Sequence, residues 1–133
     1  MSSWALFEMV DVATWLRRRA DPGVADRAVG ALRRFARHLE PDVERGGTPP
    51  EVAVRSALYG AAALQLRLLA GEADADAAAF STFAGSLRGE HRVFDAARIE
   101  LWLAEATGAD AGSEARATFE ELRATPYLER SRA

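Results

Sequence analysis

Residues 113–131 of the chain read SEARATFEELRATPYLERS, and this stretch decides how the remaining sequence is interpreted. Ala115, Phe119 and Leu122 recur at the spacing of one face of an α-helix. Pro126 then interrupts the pattern, and a second short segment of apolar and charged residues follows it. The stretch therefore predicts the second helix of a helical hairpin, followed by the start of a further helix.

The composition of the whole chain predicts the same class of structure. The 133 residues are 49% hydrophobic and 28% charged, which is typical of a globular domain that buries a core. Alanine, leucine, glutamate and arginine are frequent, whereas β-branched residues are few, so helix propensity is high along most of the sequence. We therefore expect an all-α fold.

The charged residues and the absence of cysteine exclude several kinds of chemistry. All 17 basic residues are arginine, which excludes a phosphate-binding loop lysine and Schiff-base catalysis. Without cysteine there is no disulfide, thiolate metal site or cysteine nucleophile, as in a reducing compartment. A net charge of −3 gives no general attraction to nucleic acid or anionic lipid. With no signal-peptide or membrane-spanning pattern, we expect a cytoplasmic protein without a membrane partner.

Glycine and proline divide the sequence into six predicted helices and a tail that begins at Pro126. The longest interruption, Glu40 to Pro50, is either a hinge or only a long connection. Asp21 is the expected cap of the second helix, with Pro22 in its first turn. The six predicted helices span residues 4–20, 22–39, 50–71, 73–87, 90–107 and 110–124.

Pairing consecutive helices gives three antiparallel hairpins. Their starts lie about 40 residues apart, which is somewhat longer than the tetratricopeptide period of about 34. Small residues such as Ala28, Ala61, Ala84 and Ala97 allow neighbouring helices to approach closely. The sequence thus predicts a single domain over residues 1–133, in which helical hairpins stack as a short tetratricopeptide-like α-solenoid.

The last forty residues resemble a known family. Residues 94–105, FDAARIELWLAE, resemble a helix near the C-terminus of large multidomain actinobacterial regulators, and residues 115–130 resemble the segment that follows it there. Those regulators join an adenylate/guanylate cyclase or a LuxR-type DNA-binding domain to a signalling ATPase and then to tetratricopeptide-like repeats. Residues 122–130 are closer to the cyclase-linked version. The resemblance implies a part in signalling or transcriptional regulation, but no ATPase or effector activity is carried over to residues of this chain.

Stacked hairpins of this kind act by recognising other proteins, so we expect a non-catalytic interaction and regulatory module. The first helix of each hairpin would line a concave surface that binds an acidic or aromatic peptide, another protein or a neighbouring domain of a larger parent. The residues predicted to line that surface are Trp15, Arg18, Arg55, Arg98 and Trp102.

The end helices of the predicted stack carry large apolar residues where repeat proteins normally have polar caps. These residues are Trp4, Phe7, Met9 and Phe119. They predict that the chain associates through an exposed end helix, for example as a homodimer.

A second interpretation of the sequence concerns arginines. Arg17, Arg18 and Arg19 end the first helix, and Arg33, Arg34 and Arg37 lie on the second. A patch of this kind would suit a small all-α protein that binds an anionic ligand or nucleic acid. The nearby acids and the preference of arginine for helix C-termini offer a structural explanation instead, and we do not expect nucleic acid to be the partner.

No set of residues predicts catalysis. His38 and His91 lack the further ligands that a metal site needs, so neither a metal nor a cofactor is expected. Glu100 and Glu105 could be considered as acid and base, but no nucleophile or pocket accompanies them in the pattern. We therefore expect that the protein is not an enzyme.

Overall fold

The computed structural model of the chain describes residues 2–19, 21–72, 74, 76–108 and 112–132. Within these ranges the protein forms seven α-helices, one 3-10 turn at Glu40–Asp42 and no β-strand. The predicted all-α fold is confirmed. The helices are α1 Ser3–Arg19, α2 Pro22–Leu39, α3 Pro49–Leu69, α4 Ala77–Gly89, α5 Val93–Thr107, α6 Ser113–Glu121 and α7 Thr125–Arg132.

The helices group into two compact units, Met1–Asp74 and Ala75–Ala133. The first contains α1, α2 and α3, and the second contains α4 to α7. The sequence predicted one domain with an interruption at residues 40–50. That glycine- and proline-rich stretch lies inside the first unit, and the division falls between residues 74 and 75.

In the first unit, α1 packs against both α2 and α3, and α2 also packs against α3. One side of α1 is buried through Leu6, Phe7, Val10 and Ala13. A hydrogen bond crosses between α1 and α3, because the Gln65 amide donates to the Thr14 hydroxyl at 3.0 Å. A buried amide that finds its partner on another helix fixes the register of the two helices.

Side chains at the helix ends complete the first unit. The Arg17 guanidinium donates to the Leu69 carbonyl oxygen at 2.6 Å and to the Asp26 carboxylate at 2.9 Å, so it joins the end of α1 to both other helices. At the start of α2 the Asp21 carboxylate accepts a hydrogen bond from the Gly23 amide at 2.7 Å. The predicted cap is therefore present, with Pro22 in the first turn as expected.

In the second unit each helix packs against the next, and α7 also returns to contact α5. The core is formed by small and large apolar side chains that alternate, so that α6 comes close to α5. Phe94 of α5 and Tyr127 and Leu128 of α7 are partly buried and pack against this core. Its buried members are Ala97, Leu101, Ala104, Ala115 and Phe119.

Among the predicted hairpins, α1 with α2 and α5 with α6 pack together as expected, and α4 packs against α5. The predicted tail forms the further helix that the pattern after Pro126 indicated. Three predicted helix ends, at Ala20, Ala73 and Asp110, lie outside the described residues.

Several helix ends differ from the prediction by a few residues because local capping overrides propensity. Helix α4 begins at Ala77, since the Asp76 carboxylate accepts from the Ala79 amide at 3.0 Å. His91 was predicted to open the fifth helix, but it has a φ of 61° and lies in the turn before α5. Helix α6 ends at Glu121 because Arg123, with a φ of 54°, leaves the helical conformation.

Removal of the cap on α2 tests this description of the first unit. We expect Asp21→Ala to lower the free energy of unfolding by about 1 kcal/mol, because the amide at Gly23 loses its acceptor. Glu44→Ala, at an exposed loop position, is the control and should change stability by less than about 0.5 kcal/mol. Urea unfolding followed by circular dichroism measures both, and equal stabilities of the two variants would contradict the cap.

Candidate functional site

The exposed side of α1 carries three large apolar side chains that remain accessible in the first unit. Trp4 is 52% exposed, Val12 56% and Trp15 39%. Their spacing places them within about a quarter of the helix circumference, opposite the buried side that packs on α2 and α3. Large apolar side chains that recur along one accessible helix face are typical of a protein-binding surface.

Charged residues border these apolar side chains. Arg18 and Arg19 are exposed in the last turn of α1, and the Arg19 guanidinium lies 5.9 Å from the centre of the Trp15 ring. Glu8 lies on the same face, between the two tryptophans, and is partly exposed. We use the term α1 face for Trp4, Glu8, Val12, Trp15, Arg18 and Arg19.

The five residues that were predicted to line one binding surface differ in burial and in their contacts. Trp15 and Arg18 lie on the α1 face and are accessible. Arg55 is partly exposed and is engaged by a loop. Arg98 is only 2% exposed and Trp102 is fully buried, so these two offer no accessible surface in this structure.

Arg55 organises the loop that precedes α3. Its guanidinium donates to the carbonyl oxygens of Val43 and Arg45, each at 3.0 Å, and also to that of Gly46. Gly46 and Gly47 have φ values of 69° and 90°, a conformation that glycine adopts without strain. Three carbonyl acceptors on one guanidinium hold the loop, so Arg55 has a structural role in the first unit.

Arg98 has a comparable role in the second unit. It donates to the buried Asp95 carboxylate at 2.5 Å, and that carboxylate also binds Arg92 at 2.8 Å. The Arg98 guanidinium lies 4.6 Å from the centre of the Phe94 ring and 5.8 Å from that of Tyr127. Because Tyr127 belongs to α7, the guanidinium fastens α7 to α5 through cation–π contacts.

A second ion pair joins the same two helices. Arg130 of α7 donates to the Glu105 carboxylate of α5 at 2.6 Å, with both side chains at least nine-tenths buried. The Arg130 guanidinium also lies 5.2 Å from the centre of the Tyr127 ring. Arg98, Tyr127 and Arg130 belong to the segments that carry the family resemblance. In the structure, their contacts hold α7 against α5.

Glu100 and Glu105, considered above as an acid and base pair, are each engaged by an arginine. Glu105 binds Arg130, and Glu100 binds Arg88. Burial raises the pKa of Glu100, Arg88 lowers it in part, and the negative charge of Glu114 raises it further. The two contacts are structural ion pairs, which hold α4 and α7 against α5.

His38 is exposed on α2, and His91 is exposed in the turn before α5. Across the residues that the structure describes, no three histidine, aspartate or glutamate side chains cluster closely enough to hold a metal ion. In the same part of the chain, none of the helices combines the length and the apolar character needed to cross a membrane.

The sequence alone could have indicated part of the α1 face. Trp15 was predicted to line a binding surface, and Trp4 was named among the apolar residues of the end helices, but Val12 was not singled out. The sequence does place apolar residues on two opposite sides of the first helix. Such a helix can bury only one of those sides against its neighbours, so the other side is expected to be exposed.

Comparison of the chain with known proteins finds no matching family, no matching curated protein and no matching solved structure.

The burial of Arg98 indicates that its side chain contributes to the stability of the fold. We expect Arg98→Ala to lower the free energy of unfolding by about 3 kcal/mol, because the buried Asp95 carboxylate loses a partner and the contacts to α7 are lost. Arg132→Ala is the matched control. Arg132 is mostly exposed, so its loss should cost less than about 1 kcal/mol in the same urea titration. Similar midpoints for the two variants would contradict the structural role.

The raised pKa of Glu100 gives a pH-dependent prediction. The folded protein holds this proton more tightly than the unfolded chain, so ionisation of Glu100 lowers stability as the pH rises above its ordinary pKa of 4.5. We expect the stability of Glu100→Gln, relative to the unmodified protein, to increase between about pH 4 and about pH 7. The exposed Glu121→Gln serves as control in the same series of unfolding curves. A relative stability that does not change with pH would contradict the assignment.

Proposed function

We propose that the chain is a non-catalytic helical module that binds protein, with the α1 face as its contact surface. In this proposal the hairpins stack as a short tetratricopeptide-like α-solenoid in the cytoplasm. The observation that carries it is the exposure of Trp4, Val12 and Trp15 along one side of α1. Tryptophan and arginine, the residue types that dominate the binding energy of protein interfaces, are both present on this face.

The occupant that the α1 face fits best is the same face of a second copy. If two α1 helices pair in antiparallel orientation about Val12, Trp4 of one copy lies against the last turn of the other, where Arg18 and Arg19 are exposed. The same register brings Trp15 close to Glu8 of the second copy. Cations then meet aromatic rings at both ends, and Val12 meets its own counterpart at the centre.

Such an arrangement is self-complementary, as a two-fold symmetric interface requires. Association through an end helix was predicted from four apolar residues, and the structure shows which of them is accessible for it. Phe7 and Phe119 are buried and Met9 is partly buried, so only Trp4 remains exposed among the four apolar residues named for the end helices.

The resemblance of residues 94–130 to the C-terminal repeats of cyclase-linked and LuxR-type regulators supports a regulatory setting for this interaction. Pairing of two copies through α1 would bring together whatever is joined to them. In a parent protein of that kind, association of the repeats is a means of controlling the attached effector domains.

The alternative of a basic patch on the first two helices has less support as the main function. Arg17 is engaged by Asp26 and by the Leu69 carbonyl, and Arg33 is engaged by Glu72. Arg17 and Arg33, which would belong to the patch, are therefore held by ion pairs in the first unit. A salt titration separates the two functions, since binding through phosphate contacts weakens steeply with salt.

Val12 at the centre of the proposed pair offers a sharp test. We expect Val12→Glu to weaken self-association at least about tenfold, or about 1.4 kcal/mol, because two carboxylates would meet at the two-fold axis. Sedimentation equilibrium over a series of concentrations measures the effect. Val24→Glu, at an apolar position of α2 that is 41% exposed, is the matched control and should associate like the unmodified protein.

A charge-reversal mixture completes this test. Val12→Glu mixed with Val12→Arg should associate more tightly than either variant alone, because opposite charges then meet at the axis. An unmodified protein that stays monomeric at the highest concentration would overturn the second copy as occupant. Equal weakening by Val12→Glu and Val24→Glu would place the contact elsewhere.

A further inference from the structure

A cleft with a volume of about 230 Å³ opens between α2 and α3 of the first unit. Its walls combine a small apolar area with several charged side chains. The apolar part is provided by Ala36, Ala63, Leu66 and the ring of Tyr59. The charged lining residues are Arg33, Arg37, Arg67 and Glu72.

The net charge of the residues that line this cleft is positive, since three of them are arginines and one is a glutamate. Glu72 binds Arg33, and both belong to the lining. Neither Arg37 nor Arg67 forms a hydrogen bond or an ion pair with any residue in the described part of the chain. Two guanidiniums with free donors beside an apolar wall are suited to an anion, because planar guanidiniums bind carboxylate and phosphate groups through paired hydrogen bonds.

Tyr59 adds polarity to the cleft without adding charge. Its hydroxyl donates to the Ala36 carbonyl oxygen at 3.2 Å, and both residues line the cleft. Burial and then the negative charge of Glu40 raise the pKa of Tyr59, so the phenol stays protonated at neutral pH. The ring therefore offers an apolar surface next to the guanidiniums.

From these features we infer that the cleft between α2 and α3 binds a small organic anion, in which a phosphate or carboxylate group is joined to a short apolar or aromatic body. The anionic group lies between Arg37 and Arg67, and the apolar body lies against Tyr59, Ala63 and Leu66. The volume is below the range of about 300–1,000 Å³ that is typical of sites for larger ligands. A small ligand is therefore the one that fits.

A nucleic acid strand fits the same residues less well. The carboxylate of Glu72 lies within the lining and would repel a phosphate chain, whereas a single anionic group can keep its distance from it. The net charge of −3 also gives no general attraction to a polyanion. The cleft is built from α2 and α3, so this inference is independent of the α1 face.

Calorimetric titration with phenyl phosphate tests the inference on the full chain. We expect phenyl phosphate to bind at least about tenfold more tightly than inorganic phosphate, which lacks the apolar body, and than benzamidine, which carries the opposite charge. Benzoate shows whether a carboxylate serves as well as a phosphate. Binding that is no tighter for phenyl phosphate than for benzamidine would overturn the inference, as would a single-stranded oligonucleotide that binds more tightly than phenyl phosphate.

Four variants locate the binding. Arg37→Gln and Arg67→Gln should each weaken phenyl phosphate binding about tenfold, whereas Arg34→Gln, on an exposed part of α2 outside the lining, should leave it unchanged. Glu72→Gln should strengthen binding severalfold, because it removes the one negative charge and releases Arg33. Circular dichroism confirms that each variant folds.

Two outcomes would remove the cleft as the site. One is an Arg34→Gln variant that loses as much affinity as Arg67→Gln, which would indicate that phenyl phosphate is attracted by the positive charge of the surface in general and not by the cleft. The other is a Glu72→Gln variant that binds more weakly. Val12→Glu should bind phenyl phosphate like the unmodified protein, so failure of the α1 contact and failure of the cleft can be told apart.

Discussion

The packing of α1 against both α2 and α3 is the constraint on which the first unit depends. A helix in this position can bury only one side, and Leu6, Phe7 and Val10 occupy it. The hydrogen bond from Gln65 to Thr14 fixes the register, and Arg17 closes the end of the bundle. The apolar residues on the opposite side of α1 are consequently left exposed. The exposure of Trp4, Val12 and Trp15 is thus a direct result of how the helix is buried.

Arginine has three different roles in this protein, and the environment of each guanidinium decides which. Arg55 and Arg17 bind backbone carbonyl oxygens, so they organise a loop and a helix end. Arg98 and Arg130 are buried between carboxylates and aromatic rings, and they fasten α7 to α5. Arg37 and Arg67 face a cleft with their donors free of contacts to described residues, which is the setting that favours an anionic ligand.

The positions of the helices could be predicted closely because their signals are local. Proline and glycine at the breaks, and capping residues such as Asp21, act over a few residues and fix most boundaries. Two helix boundaries were predicted less well, although they too depend on a few residues. His91 and Arg123 adopt a positive φ after the ends of α4 and α6, and neither residue type indicates such a conformation in the sequence. For that reason the fifth and sixth helices are shorter than predicted.

The sequence by itself determined the all-α class, the presence of each helix and the absence of cysteine and lysine chemistry, because composition and periodicity act within one segment. The tertiary structure alone decided which residues are accessible. Arg98 and Trp15 are equally plausible surface residues in the sequence, yet Arg98 is buried and Trp15 is exposed. Their difference depends on which side of each helix meets its neighbours, and that is settled only when the helices pack.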